Sequence, residues 1–440
     1  MEKLAGLTHL FVTVLLGSFS AFIVIPAITD VTMSALCPGK DECSLAIYLS
    51  GFQQAIIGLG TVVMTPVIGN LSDEYGRKAL LTIPMALSII PLAILAYSRT
   101  TTSFYAYFVI RTLTAMVGEG SINCLALAYV ADNISEGQRA SAFGVLSGVA
   151  SAAFVCGTLA ARFLSTASTF QSGCHPCIDD CNRLHESFPQ GDFPQRRFFT
   201  GIIEKRTGMS PDDGNSSEKI QTFKKIPSVG DLISLLKCRA AFSQAAVVVF
   251  FNGLAEGGLQ ASLLYFLKAR FHFNKDQFAD IMLIVGVMGT ISQLLFMPLL
   301  APRVSEEKLL SIGLFMGCTN IFLNSIAWSF WVPYAIAALA AFAVFANPCV
   351  RSIASKQVGP NEQGKAQGCI SGISSSAQII SPLIFSPLTA LFLSQGAPFY
   401  FPGFSIMCIG FASMIAFIQS TMIRAVPPIS SQPTSNSIEA

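Results

Sequence analysis

Long apolar runs, each closed by charge, Pro or Gly, recur along the chain at about 7–29, 45–68, 79–97, 103–130, 140–165, 240–267, 277–300, 307–329, 331–350, 366–394 and 398–422. A helix crossing a hydrocarbon core about 30 Å thick needs roughly 20 such residues, so the pattern predicts an all-α polytopic membrane protein with eleven transmembrane helices. One long polar stretch interrupts it, at 166–239, carrying Pro211-Asp212-Asp213-Gly214 and Lys224-Lys225. The expected organisation is an N-terminal bundle of five helices (1–165), a polar central loop (166–239), a C-terminal bundle of six (240–424) and a polar tail (425–440).

Composition supports this solvent assignment. Of the 440 residues 52% are hydrophobic and 12% charged, where soluble domains carry roughly 25% charge. A net charge of +2 gives no reason to expect a nucleic-acid partner. The first run, Leu7 to Thr29, exceeds a signal-peptide core and lacks a small-residue cleavage site, so it reads as a retained helix. Of the twelve cysteines, Cys124, Cys156, Cys318 and Cys408 lie inside apolar runs and behave as small apolar side chains. Cys37 and Cys43 flank a short polar loop and are a candidate disulfide, with two free thiols as the equal alternative. Cys174, His175, Cys177, Cys181 and His185 match no zinc-ligand spacing, so neither a metal nor a cofactor is expected.

The two halves carry a repeat. Ala142 to Ala153 (AFGVLSGVASAA) aligns with Ala366 to Ala377 (AQGCISGISSSA), pairing Gly144 with Gly368 and Gly148 with Gly372, and each copy follows a hydrophilic turn with a basic residue. Parallel repeats of this kind mark transporters built from two halves. Basic residues vote for one orientation. With the N-terminus cytoplasmic, Lys3, Arg77, Lys78 and Arg139 lie inside against Lys40 and Arg99 outside; in the second half Arg303, Lys308, Arg351, Lys356, Lys365 and Arg424 outnumber Lys268, Arg270 and Lys275. Five crossings before the centre cannot satisfy both votes. The sixth helix of a twelve-helix plan is therefore read as missing or replaced, through a shifted frame or altered splice just after Gln171.

The turn after the second run reads Gly69-Asn70-Leu71-Ser72-Asp73-Glu74-Tyr75-Gly76-Arg77-Lys78. Two glycines permit a tight turn and Asp73 can face a helix N-terminus. This segment resembles the G-x-L-a-D-r-x-G-R-K signature of the major facilitator superfamily at Gly69, Leu71, Asp73, Gly76, Arg77 and Lys78. With the GPNEQGKAQG turn at 359–368, the chain looks most like the tetracycline-resistance-like branch that includes the hippocampus-abundant-transcript-like proteins. The resemblance implies a fold of two helical bundles, with Asp73 latching the penultimate helix of the opposite half and Arg77 pairing with Asp132. It also gives Arg111, one third into the fourth helix, the place of the arginine in the family's second motif, although Ala115 stands where that motif has Gly.

A charged side chain at mid-membrane costs about 2.5 to 3.5 kcal/mol on insertion scales and so usually has a task. Glu119 in the fourth helix and Glu256 in the first helix of the second half are the acids so placed. They are candidates for substrate or proton coupling, against a structural acid paired with Arg111 or Arg162. Asn123, Gln260, Gln293, Asn320 and Asn324 are candidate solute contacts, with interhelical hydrogen bonding the competing role. No G-x-x-x-x-G-K-[ST] loop powers primary transport, and the histidines 9, 175, 185 and 272 are scattered, so no enzyme is expected. The predicted function is secondary active transport of a small organic solute by alternating access, with protons as candidate co-substrate. The alternative is a transport-deficient, receptor-like or regulatory protein lacking the sixth helix. The expected partners are the solute, protons and the lipid bilayer of the plasma membrane or an endomembrane such as the vacuole, with no oligomer required.

Overall fold

The computed structural model describes residues 7–36, 44–97, 101–170, 240–273, 275–359, 362–393 and 397–423. Among them the chain is helical with no strand. Eleven long rods follow in order: α1 (Thr8–Leu36), α2 (Ser44–Tyr75), α3 (Arg77–Tyr97), α4 (Thr101–Asn133), α5 (Arg139–Phe170), α6 (Ala240–Phe271), α7 (275–300), α8 (Glu306–Ser325), α9 (Val332–Lys356), α10 (Gln363–Leu393) and α11 (Phe404–Thr421). Nine are long and apolar enough to cross a membrane. Of the other two, α1 contributes the shorter apolar stretch Thr8–Ile23, and α8 opens on Glu306-Glu307-Lys308. Cys37, Cys43, the cysteine- and histidine-bearing segment and nearly all of the expected central loop fall outside the described residues, as does the side chain of Arg162.

Each apolar run became a helix because lipid offers the backbone no hydrogen-bond partner. The helices overrun the apolar segments where flanking polar residues reach water: α9 continues past 350 to Lys356, and α2 continues past 68 to Tyr75. The turn expected at 69–78 is consequently one residue long. Gly76 alone separates α2 from α3, with φ +92, a conformation a Cβ strongly disfavours. The last helix starts at Phe404 instead of 398, because Pro402-Gly403 follows the aromatic run and Gly403 lies against the Ser325 carbonyl too closely for any side chain.

Helix–helix contact in lipid depends on close packing and hydrogen bonds, since tails are as apolar as Leu. In the first half Gln53 of α2 donates to the Phe108 carbonyl (3.2 Å) and Thr112 hydroxyl (3.0 Å) of α4. Phe143, Leu125 and Val130 fill cores between the helices. In the second half α10 binds α6 through the Ser381 hydroxyl on the Leu254 carbonyl (2.6 Å), while Thr389 meets the hydroxyls of Ser262 (2.8 Å) and Ser405 (2.9 Å). Two rods are irregular at facing positions. A π-turn at Ser292–Phe296 in α7 lies against a 3-10 turn at Ala340–Phe345 in α9, and the Ser292 hydroxyl donates to the Ala341 carbonyl there. The described residues up to Ala161 and from Ala240 onward form one compact unit, within which all of the contacts described here lie.

Candidate functional site

The halves meet where α2 crosses α10. Gly69 is not a turn residue but a crossing residue: a Cβ on it would press into the Gly364 carbonyl and approach Gly368 Cα. Gly368 and Gly372 in turn lie against Pro66. The related crossing of α5 with α7 uses the other copy of the repeat, Gly144 against Met297 and Gly148 against Leu294. The glycines paired by sequence thus occupy equivalent places on the two sides of the interface.

Only the α2–α10 crossing carries the acidic turn. Asp73, in the last turn of α2, accepts the Gly364 N–H at 3.0 Å through Oδ1 and the Lys365 N–H at 2.9 Å through Oδ2. These are first-turn donors of α10 without intrahelical partners, where the helix dipole also favours an anion. Arg77 organises the rest. Its Nη1 donates to the Ser72 hydroxyl, its Nη2 to Asp73, and its Nε to Asp132 Oδ2 at 2.8 Å. Leu71 and Lys78 point outward from this cluster. The second half mirrors the α3–α4 link with acid and base exchanged: Glu306 at the start of α8 pairs with Lys356 at the end of α9, at 2.9 Å. Across the halves, buried Arg139 donates to the Ser355 carbonyl at 3.3 Å.

Deeper in the bundle the expected acids remain accessible. Glu119 is exposed and receives Arg111 at 3.2 Å; eight residues span about 12 Å of helix, which two long side chains bridge. Asn123, one turn further, and Gln260 on α6 are exposed. Glu256 is exposed and accepts the amides of Asn252 (2.9 Å) and Asn347 (3.1 Å) through one oxygen. The other amides lie elsewhere. Gln293 is buried at the α5–α7 crossing and accepts from Ser151 at 3.2 Å. Asn320 donates to the Ile336 carbonyl at 2.8 Å, and buried Asn324 donates back to the Asn320 carbonyl at 3.0 Å. Asn320 thereby holds α8 to α9 while Asn324 bonds within α8, so both amides are committed to packing rather than open to a solute.

The model of the Major Facilitator Superfamily matches residues 10–173. In solved structures the fold resembles the human organic anion transporter MFSD10 (TM-score 0.66, 17% identity, covering 96% of this chain and 100% of that one). It also resembles the E. coli fucose:proton symporter FucP (TM-score 0.63, 14% identity, 94% and 98%). The chain has the major facilitator superfamily fold. The superfamily resemblance drawn from Gly69 to Lys78 is borne out, and the protein is a multi-span membrane protein that shares its fold with solved transporters. Mouse and human hippocampus abundant transcript 1 proteins are 24% identical over 353 residues, which is 78% of this chain and 66% of theirs. The chain therefore spans about two thirds of the length of those relatives. The class H tetracycline resistance protein of Pasteurella multocida is 24% identical over 351 residues, 78% of this chain and 80% of that protein.

Within this major facilitator fold, several polar residues escaped the sequence reading. Asn252 was detectable as the residue one helical turn before Glu256. Asn347, Gln367 and Ser371 carry no sequence signal that sets them apart. Arg351, counted as a flanking cytoplasmic charge, instead lies within α9, half-buried, because the helix runs on to Lys356.

Proposed function

We propose that this protein is a secondary transporter that moves a small organic solute by rocking its two halves about the crossings of α2 with α10 and α5 with α7. The observation that carries the reading is the Asp73 contact with the N-terminus of α10. It ties the halves together through two hydrogen bonds at one end of the bundle, an arrangement that a modest rotation can break and remake. Glu119, Asn123, Glu256 and Gln260 stay accessible farther along the helices, where an alternating site belongs. The similarity to tetracycline resistance proteins makes tetracycline the first solute to try.

Proton coupling fits Glu256, an accessible acid held by neutral amides with no cation within ion-pair distance among the described residues. The test is tetracycline uptake into proteoliposomes under an imposed pH gradient. Glu256→Gln is expected to keep membrane insertion and lose the dependence on the gradient. Uptake by the wild type equal to that of protein-free liposomes removes tetracycline as the solute, and an unchanged gradient dependence in Glu256→Gln removes the coupling role.

A further inference from the structure

Arg351 carries a positive charge into the interior of the bundle and meets no carboxylate within ion-pair distance among the described residues. Its Nη1 donates to the Ser371 hydroxyl at 3.0 Å and, weakly, to Gln367 Oε1 at 3.4 Å; Gln367 returns a bond to the Arg351 carbonyl at 3.2 Å. Both side-chain acceptors are neutral. Nε and Nη2 have no bond in the described structure and are not sealed from solvent. Glu256 lies within Coulomb reach, but the bonds it accepts come from Asn252 and Asn347. Arg351 also sits beside the seam: the residues it bonds, Gln367 and Ser371, lie on the first turns of α10, where the Gly364 carbonyl accepts the Cys124 thiol of α4, in the first half, at 3.9 Å, and exposed Asn123 precedes Cys124 on α4.

An arginine held this way has two adjacent donors of its planar fork available, the geometry that grips a carboxylate with two parallel hydrogen bonds. A guanidinium taken out of bulk water is costly unless an anion balances it. We infer that Arg351 anchors the acidic group of the solute, so that the substrate class is a small organic anion, a carboxylate foremost. The inference builds on the transport reading but is separable from it: a protein that binds a carboxylate and moves nothing leaves the site standing.

The test needs no transport. In full-length protein with its other cysteines replaced, Asn123→Cys is labelled with the anionic sulfonatoethyl methanethiosulfonate and its cationic trimethylammonium counterpart, with and without 2-naphthoate or neutral 2-naphthamide. The anionic reagent is expected to gain roughly tenfold over the cationic one relative to a free thiol, as a focused positive field gives. Arg351→Gln should erase that preference and Arg351→Lys should retain it. 2-Naphthoate, and not 2-naphthamide, should slow the labelling. If Arg351→Gln disturbs folding, the preference and the naphthoate protection in the Arg351 protein still decide. No preference for the anion, a preference indifferent to Arg351→Gln in a folded protein, equal protection by the amide, or protection by neither compound each overturns the inference.

Discussion

Replacing Asp73 by Asn removes one interaction and leaves the shape. The carboxylate accepts two backbone N–H groups of α10, at 3.0 and 2.9 Å, and carries the charge that holds Arg77. An amide keeps one acceptor oxygen and turns a donor toward the second N–H. Hydrogen bonds to charged groups contribute about 1.5–3 kcal/mol each, so losing one of them weakens the tie between the halves by about 2 kcal/mol. At 1.4 kcal/mol per factor of ten, this raises the ratio of open to closed at this end of the bundle by roughly 30-fold. The side chains of Asp73 and Arg77 are 11% and 10% exposed, so water restores little of the loss. Spin labels at the exposed positions Tyr75 and Glu362, one on each half beside the contact, report the distance directly. The expected result is a longer distance that is rare in the wild type and well populated in Asp73→Asn. A folded variant whose open-to-closed ratio stays within threefold of wild type would refute the assignment of Asp73 as the tie.

Three further outcomes follow from the same contacts. Gly364→Ala places a methyl against the Gly69 carbonyl, Arg77 and Ser72; overpacking of this kind costs about 1–3 kcal/mol, so the same spin labels should separate. Combined with Asp73→Asn its effect should be less than additive, because both act on one contact. Glu306→Gln takes the charged partner from Lys356, which is itself partly exposed, so the loss is that of one hydrogen bond between charged groups, about 1.5–3 kcal/mol; thermal unfolding of the Glu306→Lys, Lys356→Glu double variant should recover part of that loss, and no recovery counts against the pair. Asn324→Leu is expected to lower the melting temperature while leaving solute binding unchanged, since its amide bonds Asn320 and not the interior; a selective loss of binding with normal stability would reverse that assignment.

The helices were legible because lipid leaves a long apolar run almost no alternative, and the errors lie where that constraint ends. Past the apolar stretch, helix length depends on what polar flanks can bond, which is how Arg351 moved from an expected flank into α9 and how the turn at 69–78 shrank to Gly76. The repeat was readable from Gly144, Gly148, Gly368 and Gly372, since close crossings demand small residues at regular spacing. The partner of Asp73 lies 291 residues away, so no local pattern points to it and only the family resemblance did. Mid-membrane amides look alike in sequence. Whether Asn320 joins a helix pair or Asn123 faces open space is decided by rotation about the helix axis, which polar character alone does not encode.

The claim that most needs testing is that the interior acids and amides face each side of the membrane in turn. Single cysteines at Asn123 and Gln260, in a cysteine-free background, are labelled with an impermeant maleimide in right-side-out and inside-out vesicles. The account predicts labelling of both positions from both sides, with Asp73→Asn favouring the side on which the α2–α10 contact lies. Labelling from one side alone, unchanged by Asp73→Asn in a folded protein, would contradict alternating access and leave this chain with the fold of a transporter and without the motion.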